Sequence, residues 1–258
     1  MKKLVISLLA FFLAVVLCTQ SLWAGDVLPQ TGTNGVVTQI ASEVVMVQNA
    51  PDVLVQAQEL MDLAQAQELM EKDGFENFKK VLDLTTEAIK NDPNSFKANW
   101  MAAKACWFYG MYAQELYLED WKDICRSYGK KGMAYAEKAI SLNPESVEGH
   151  FWYGMNVGIY SDSVSIITAL FAGLRSKVQN SFETAYQYDK YYDHGGPIAA
   201  LGRFWAILPW PLNDNKLAMK YYQEFHKTEF FGRPYTVQFH VYYAELLMES
   251  SLTQNEAK

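Results

Sequence analysis

The side chains that most often carry out chemistry are few and scattered in this chain. Its four histidines are His150, His194, His226 and His240. No two of them stand four residues apart, so the spacing of a helical zinc site is absent. The sequence also lacks a phosphate-binding loop ending in Gly-Lys-Ser or Gly-Lys-Thr and a Gly-x-Ser-x-Gly nucleophile motif. We therefore predict that the protein is not an enzyme and that it uses no metal or cofactor.

One arginine in the second half of the chain is the best candidate for a charged binding residue. Arg203 follows Ala199 by one helical turn and has apolar neighbours, so we expect its guanidinium to be drawn inward. There it pairs either with a bound anion or with a carboxylate of the protein, such as Asp193 or Glu183. The sequence leaves these two alternatives open.

A glycine pair precedes this arginine and predicts a turn before a helix. Gly195 and Gly196 permit backbone conformations that other residues resist, and Pro197 suits a first helical turn. Gly202 lies inside the predicted helix at a cost of about 1 kcal/mol, which indicates close helix contact or ligand approach. The predicted ligand- or partner-binding site comprises Gly195, Gly196, Arg203, Trp205 and, at its rim, Trp210.

Aromatic residues are crowded into three stretches of the chain. The first stretch is rich in tryptophan and tyrosine, the second surrounds Trp152, and the third precedes the glycine pair. Packing in a core explains most of them, whereas the alternative is an aromatic-lined groove for an amphipathic or peptide ligand. The first stretch contains Trp100, Trp107, Phe108, Tyr109, Tyr112, Tyr117 and Trp121.

The elements that position these residues are predicted to be helix pairs. Four segments carry apolar residues at helical spacing around a small or aromatic residue, at Ala88, Ala139, Ala185 and Phe225. Two of them end in Asn-Asp-Pro or Leu-Asn-Pro, where proline stops the helix. This pattern is typical of tetratricopeptide-like units. We therefore predict an all-α fold of tetratricopeptide-like helix pairs that form a compact curved bundle, an α-α superhelix.

The repeats are irregular, because the intervals between these segments exceed the usual period of about 34 residues. A helix is predicted to begin at Ala50-Pro51-Asp52, and it contains two copies of Gln-Ala-Gln-Glu-Leu-Met, nine residues apart. Their Leu-Met pairs would point to opposite sides of a straight helix. Such a helix is either covered on both sides or broken between the copies.

The first 24 residues are predicted to be an export signal that is cleaved near Ala24. Acylation of Cys18 and retention of the apolar run as an anchor are the alternatives. We assign residues 25–50 to a tail with a possible helix at 36–47, residues 51–250 to the helical domain, and residues 251–258 to a second tail. The apolar segment 164–174 is too short to span a membrane and is predicted to be a buried helix.

Charge and cysteine content narrow the possible environment and partners. The chain has a net charge of −7 and no basic cluster, which argues against nucleic-acid binding. Cys106 and Cys125 remain after the predicted cleavage. In an exported protein they either form a disulfide or stay as two buried thiols, and the sequence does not decide between these states.

The stretch around Arg203 resembles a known family of exported proteins. The resemblance rests on Asp193, Gly195, Gly196, Pro197, Leu201, Gly202, Arg203, Phe204, Pro209, Pro211, Lys216, Ala218, Tyr221 and Tyr222. In this order they are similar to the T-component proteins of tripartite ATP-independent periplasmic (TRAP) transporters, and the resemblance extends over about residues 137–247. The chain departs from that family at 212–215, where Leu-Asn-Asp-Asn replaces a Gly-Gly-Asp turn.

The resemblance implies a periplasmic, non-enzymatic helical-repeat protein that can form trimers and cooperates with a solute receptor. Our first hypothesis is therefore an accessory protein of TRAP-type uptake that docks the receptor and holds a small ligand. The second is a general scaffold of the cell envelope that binds a peptide or protein partner. An aromatic tunnel favours the first, and a groove with polar side chains for a peptide backbone favours the second.

Overall fold

The computed structural model describes residues 50–72, 74–164, 168, 173–233 and 236–256. Within these ranges all of the long regular elements are α-helices, which confirms the predicted all-α class. They are α1 (Ala50–Glu71), α2 (Phe75–Asn91), α3 (Phe96–Glu115), α4 (Trp121–Leu142), α5 (Val147–Val164), α6 (Leu174–Asp189), α7 (Tyr192–Ile207), α8 (Asn215–His226) and α9 (Val237–Glu256).

Several predictions concern residues outside the described part. These are the export signal, the acylation of Cys18, the helix at 36–47 and most of the segment 164–174. The packing divides the chain between Leu54 and Val55. The first unit contributes only the start of α1 to the description, and everything below concerns residues 55–258.

Successive helices pack in pairs, and the same member of each pair lies on the inner side of the array. From α2 to α8 each helix packs on the next one in the chain. Contacts that skip a helix occur between α3 and α5, α5 and α7, and α7 and α9, and among the described elements none joins two even-numbered helices. Among the described helices that are not neighbours in the chain, only odd-numbered ones contact each other. The odd-numbered helices therefore form the inner layer, and the even-numbered helices form the outer layer. This arrangement confirms the predicted helical-repeat architecture.

Small residues sit where the predicted stripes place them. Ala88, Ala139, Ala185 and Ala218 lie one on each of α2, α4, α6 and α8, and all four are fully buried. Their size lets the outer helices approach the inner ones. Helices α2 and α4 end at Asn91 and Leu142, directly before the Asp-Pro and Asn-Pro pairs, as proline requires.

Helix α1 is continuous from Ala50 to Glu71, so of the two alternatives that the sequence left open, the break between the copies is absent from this helix. The copies lie in different surroundings. Met61 of the first copy is 60% exposed, whereas Leu69 and Met70 of the second are partly buried against the first core cluster. Met61 of the first copy therefore faces solvent, whereas the Leu-Met pair of the second copy is packed.

The two cysteines of the helical domain are free thiols, both fully buried. Burial raises the pKa of Cys106 to about 12 and that of Cys125 to about 11. The Cys125 thiol donates to the carbonyl oxygen of Gly110 at 3.3 Å. Of the two alternatives that the sequence left open, the structure has the buried thiols.

No helix in the described ranges combines the length and the apolar character that crossing a bilayer requires.

Candidate functional site

A groove with a volume of about 1350 Å³ runs along the inner layer of helices. All five odd-numbered helices contribute to its walls, and α6 closes part of one side. The even-numbered helices α2 and α4 contribute nothing to it. The groove is therefore formed mainly by the inner layer of helices.

The groove lining contains many aromatic residues and three methionines. Ring faces and thioethers make adaptable apolar surfaces that accept irregular partners. The aromatic lining comprises Trp100, Trp107, Phe108, Tyr112, Phe151, Phe182, Tyr192, Phe204, Phe225, Phe239 and Tyr242, and the methionines are Met70, Met111 and Met155. Trp152 lies directly behind this wall, where its indole N–H donates to the Tyr192 hydroxyl at 2.9 Å.

A lysine from α3 crosses the groove wall to reach α7. The Lys104 ammonium lies 3.0 Å from a carboxylate oxygen of Asp193, and its side chain is 19% exposed. The same ammonium lies 4.9 Å from the centre of the Trp152 ring and 5.7 Å from that of Phe108. A cation over aromatic faces is stabilised by their electron density. Lys104 therefore ties the first half of the repeat array to the second.

Arg203 lines the groove from α7 and pairs with a carboxylate of the protein, one of the two expected alternatives, although the carboxylate is not one of those named as examples. Its guanidinium is 3.2 Å from a carboxylate oxygen of Glu245 on α9 and stacks at 3.8 Å on the Tyr242 ring. The predicted partners Asp193 and Glu183 are therefore wrong. The left-handed turn at the start of α7 directs Asp193 toward Lys104, and Glu183 accepts from its own helical neighbour Gln179 at 3.0 Å.

An acidic residue from α5 faces this arginine. Loss of hydration raises the pKa of the Asp162 carboxyl, while the charge of Arg203 and a hydrogen bond with Gln114 act in the opposite direction. The Asp162 side chain is accessible to solvent, although protein atoms surround it on most sides. This is the environment of a side chain on a groove wall, because water reaches such a side chain from one direction only.

A third basic residue, Arg175 of α6, completes the polar lining. Its Nε atom is buried and has no hydrogen-bond partner among the residues that the structure describes. No ion pair joins Arg175 to any carboxylate of the described residues. A buried guanidinium nitrogen without a partner is energetically unfavourable, so this edge of the groove favours an acceptor group on a bound molecule.

The start of α7 is a left-handed turn of three residues. Asp193, His194 and Gly195 have φ angles of 47°, 62° and 79°. This conformation is rare for Asp193 and His194 and easy for Gly195. At the next residue, Gly196, a Cβ atom would lie 2.6 Å from the Phe151 ring. The glycine pair thus makes the predicted turn and also lets α7 approach α5 closely.

The structure brings together only part of the predicted site. Arg203 and Gly196 line the groove, and Gly195 lies buried just beside it against the rings of Phe225 and Phe230. Trp205 is partly buried in the clusters behind α7, and its indole N–H has no hydrogen-bond partner within the described part of the chain. Trp210 is 86% exposed in the turn after α7 and does not belong to the groove lining.

Sequence reasoning missed Lys104, Asp162 and Arg175. A weak signal existed for Lys104, which interrupts an alanine-rich stretch of α3, where Ala102, Ala103 and Ala105 are all fully buried. A charge in such surroundings needs a partner. Asp162 and Arg175 carry no comparable signal, because they flank a segment whose sequence predicts a buried helix.

Metal chemistry has no candidate position in the described ranges, since no group of three or more His, Cys, Asp and Glu side chains is close enough there to hold an ion.

Comparison with known proteins identifies one family. A family model described as regulator of microtubule dynamics protein 1-3 matches residues 62–191, which extend from α1 to the residue before α7. No curated protein matches the sequence. Among solved structures, a thermophilic TPR protein of Thermus thermophilus is similar at 14% identity with a TM-score of 0.39. The match covers 74% of this chain and 99% of that one.

Proposed function

The chain belongs to the regulator of microtubule dynamics protein 1-3 family, and on that premise we propose that it is a non-enzymatic helical-repeat scaffold that holds a segment of a protein partner in its inner groove. The observation that carries this proposal is the groove itself. Its lining is predominantly apolar and aromatic and is built from all five inner helices. An apolar concave surface of this extent is typical of binding sites.

The size of the groove favours a peptide over a small molecule. Its volume of about 1350 Å³ exceeds the range of roughly 300–1,000 Å³ that small-molecule pockets occupy. An amphipathic helix placed in such a groove buries its apolar face against rings and methionines. The segment that we propose for this chain is therefore a helix or an extended stretch with several apolar side chains.

The charged side chains of the groove lining contribute more to the orientation of a bound segment than to its binding free energy. Lys104 and Arg203 are already paired with Asp193 and Glu245, so a bound segment gains little from them unless it replaces those partners. Arg175 has no ion pair within the described residues and can donate to a carboxylate or a backbone carbonyl of the segment. A polar group at that edge would set the direction in which the segment lies.

The description of the family refers to microtubule dynamics, which is a property of a protein polymer. For this chain we propose only the general part of that description, namely that the protein acts through contacts with other proteins. The absence of a nucleophile motif from the sequence supports a scaffold over a catalyst.

A second candidate is an accessory role in TRAP-type solute uptake in the periplasm. The sequence resemblance over residues 137–247 supports it, and that stretch includes Arg203 and most of the second half of the groove. In this version the partner is an extracytoplasmic solute receptor. The predicted export signal at residues 1–24 and the implied trimer belong to this candidate.

The test is to place a photocrosslinking amino acid at Trp107 in the groove and, separately, at Trp210 in the exposed turn. Each variant is irradiated in an extract of the source cells, and crosslinked proteins are identified by mass spectrometry. We expect one protein to be captured at Trp107 and not at Trp210. Capture at Trp210 alone would place the docking surface outside the groove and reject the proposal.

A matched pair of substitutions tests the same point with purified partner. Met111 lies in the groove lining and outside the core clusters, whereas Met61 on α1 is 60% exposed and outside the lining. We expect Met111→Glu to weaken partner binding at least 10-fold, a cost of about 1.4 kcal/mol, and Met61→Glu to leave it unchanged. Equal binding by both variants, each with native helicity, would contradict a groove-bound partner. Identification of that partner as a solute receptor selects the second candidate.

A further inference from the structure

We propose that Arg203 is a latch with two positions: it pairs with Glu245 to hold α9 against α7, and it pairs with Asp162 when α9 moves outward and widens the groove. The movement of this wall is separate from the partner that we propose for the groove. We call the arrangement the Arg203 latch and define it by Arg203, Glu245, Tyr242 and Asp162.

Helix α9 is held less firmly than the central walls of the groove. It contributes Val237, Gln238, Phe239 and Tyr242 to the lining. Among the described elements it contacts only α7 and α8, whereas α5 contacts α3, α4, α6 and α7. An element with few packed neighbours opens at a lower free-energy cost than the rest of the fold. A movable wall is therefore expected at α9 and not at α5.

Buried rings join α9 to α8 and form a pivot. The centre of the Phe239 ring lies 3.9 Å from that of Phe225 and 5.0 Å from that of Tyr222. All three side chains are at most 5% exposed. Since separating these rings would expose a large apolar surface, α9 keeps this contact when it moves. The movement is a rotation about the ring cluster, away from α7.

The polar contact of α9 with α7 is open to water. The Arg203 guanidinium lies 3.2 Å from a carboxylate oxygen of Glu245, and the two side chains are 37% and 59% exposed. The guanidinium also stacks on the Tyr242 ring at 3.8 Å. Ion pairs that water reaches are weak and break readily. The side of α9 that faces Arg203 is therefore the side that opens.

A second carboxylate faces the same guanidinium from the central part of the array. Asp162 lies near the end of α5, where the charge of Arg203 acts on its carboxyl. No ion pair joins Asp162 to a basic residue in the part of the chain that the structure describes. Loss of hydration raises the pKa of this carboxyl, so the ionised group is stabilised when an arginine approaches. Asp162 is thus an alternative partner for Arg203.

The exchange couples the position of α9 to one side chain. Arg203 has an ion-pair partner in both positions, Glu245 on the movable helix or Asp162 on the fixed one. The two states therefore differ little in electrostatic energy, and both are populated. In the second position α9 loses the Glu245 pair and the Tyr242 stacking, so only apolar contacts still hold it. The groove then widens between α7 and α9.

Distances between two spin labels on the full chain test the movement. One label replaces Leu247 of α9, which is 45% exposed, and the other replaces the exposed Ala134 of α4. The chain carries Cys18→Ser, and the remaining cysteines, Cys106 and Cys125, are buried. We expect double electron–electron resonance to record a main distance and a second, less populated one. A single distance that stays the same in every variant below would overturn the proposal.

Two substitutions should shift the populations in opposite directions. Glu245→Gln leaves Asp162 as the charged partner of Arg203, so the second distance should gain about 3-fold in population. Asp162→Asn removes the alternative partner, so the second distance should lose about 3-fold. Lys90→Ala, which removes an exposed ion pair of α2, should change neither. A merely structural contact between Arg203 and Glu245 would not respond to Asp162→Asn, and that result would overturn the proposal.

Alkylation of a single thiol tests whether the movement opens the groove. Ala199 lies one helical turn before Arg203, lines the groove and packs on the cluster that contains Phe239 of α9. In the Cys18→Ser background we expect N-ethylmaleimide to modify Ala199→Cys about 3-fold faster with Glu245→Gln and more slowly with Asp162→Asn. Equal rates in the three chains, or the reverse order, would overturn the proposal. The assay needs no partner, so its failure leaves the proposed function untouched.

Discussion

Two glycines beside the core of helix α5 lie in different surroundings, Gly132 of α4 where the two helices meet and Gly158 of α5 on the groove side. On the first side, Gly132 of α4 leaves room for the Asn156 amide, which donates to the carbonyl oxygens of Ala103 at 2.9 Å and of Trp152 at 2.8 Å. On the groove side, Gly158 has no other atom within 4 Å of the place where a Cβ would be. Glycine thus permits close packing at Gly132, whereas at Gly158 it leaves open space.

The contrast between these two glycines indicates that different regions of the chain determine folding stability and partner binding. Where helices meet, small residues are required because a buried polar network occupies the remaining volume. In the groove, large aromatic rings line the walls but leave the space between them open. We call the first region the α4–α5 contact, defined by Gly129, Gly132 and Asn156. Mutations at this contact should change folding, and mutations in the groove should change binding.

Alanine at Gly132 gives the largest expected effect. The new methyl group overlaps the Asn156 side chain, which must move and give up both hydrogen bonds. We expect a loss of about 2–4 kcal/mol in the free energy of unfolding and a fall in Tm of roughly 5–10 °C. Urea unfolding followed by circular dichroism measures it.

Gly158→Ala is the control for that substitution. The position is helical and open, so alanine should stabilise the protein by about 0.5–1 kcal/mol through its helix propensity. If both substitutions changed stability by the same amount, the contrast between the α4–α5 contact and the groove would be wrong.

The reactivity of the two buried thiols should be at least about 100-fold lower in the folded protein than in the unfolded one. Burial raises the pKa of Cys125 to about 11 and that of Cys106 to about 12, so little thiolate exists near pH 8. We expect alkylation of both residues to be at least about 100-fold slower in the native protein than in denaturant. Peptide mapping after iodoacetamide treatment measures each site. Rapid labelling of the native protein would show that the helices around Cys125 open easily.

Trp205→Phe should have a small effect, within about 1 kcal/mol on stability and none on partner binding. The indole N–H of Trp205 is buried without a partner, so its removal relieves a desolvated donor while the ring contact with Phe204 is retained. Thermal unfolding and the binding assay check the two parts. Loss of binding would restore Trp205 to the site that the sequence predicted.

The smallest effect is expected for Asp162→Asn. Its pKa is raised, so the folded state binds the proton more tightly than the unfolded state does. The ionised carboxylate therefore weakens the fold, and this penalty grows as pH rises from the ordinary aspartate range through the raised pKa. We expect a slightly higher Tm for the variant at pH 7 and equal values at pH 3. A lower Tm at pH 7 would mean that the attraction of Arg203 outweighs the loss of hydration.

Sequence patterns predicted the outer helices better than the groove. The alanines at 88, 139 and 185 identify buried stripes because burial and size are local requirements of a helix pair. The groove depends on how successive inner helices are rotated relative to one another, which no local pattern specifies. Arg203 was found because it interrupts an apolar stretch. Trp205 and Trp210 were placed in the site because an aromatic residue fits a core, a turn and a groove equally well.

The contact of each helix with its nearest neighbours also determines how the protein opens. Helix α9 is held by α7 and α8 alone among the described elements, whereas α5 is surrounded by α3, α4, α6 and α7. Opening should therefore begin at α9 and reach α5 last, as in other stacked arrays. Amide hydrogens would record this order, with rapid exchange in α9 and slow exchange in α5. The Lys104–Asp193 bridge joins residues 89 positions apart and would mark the point at which the opening becomes global.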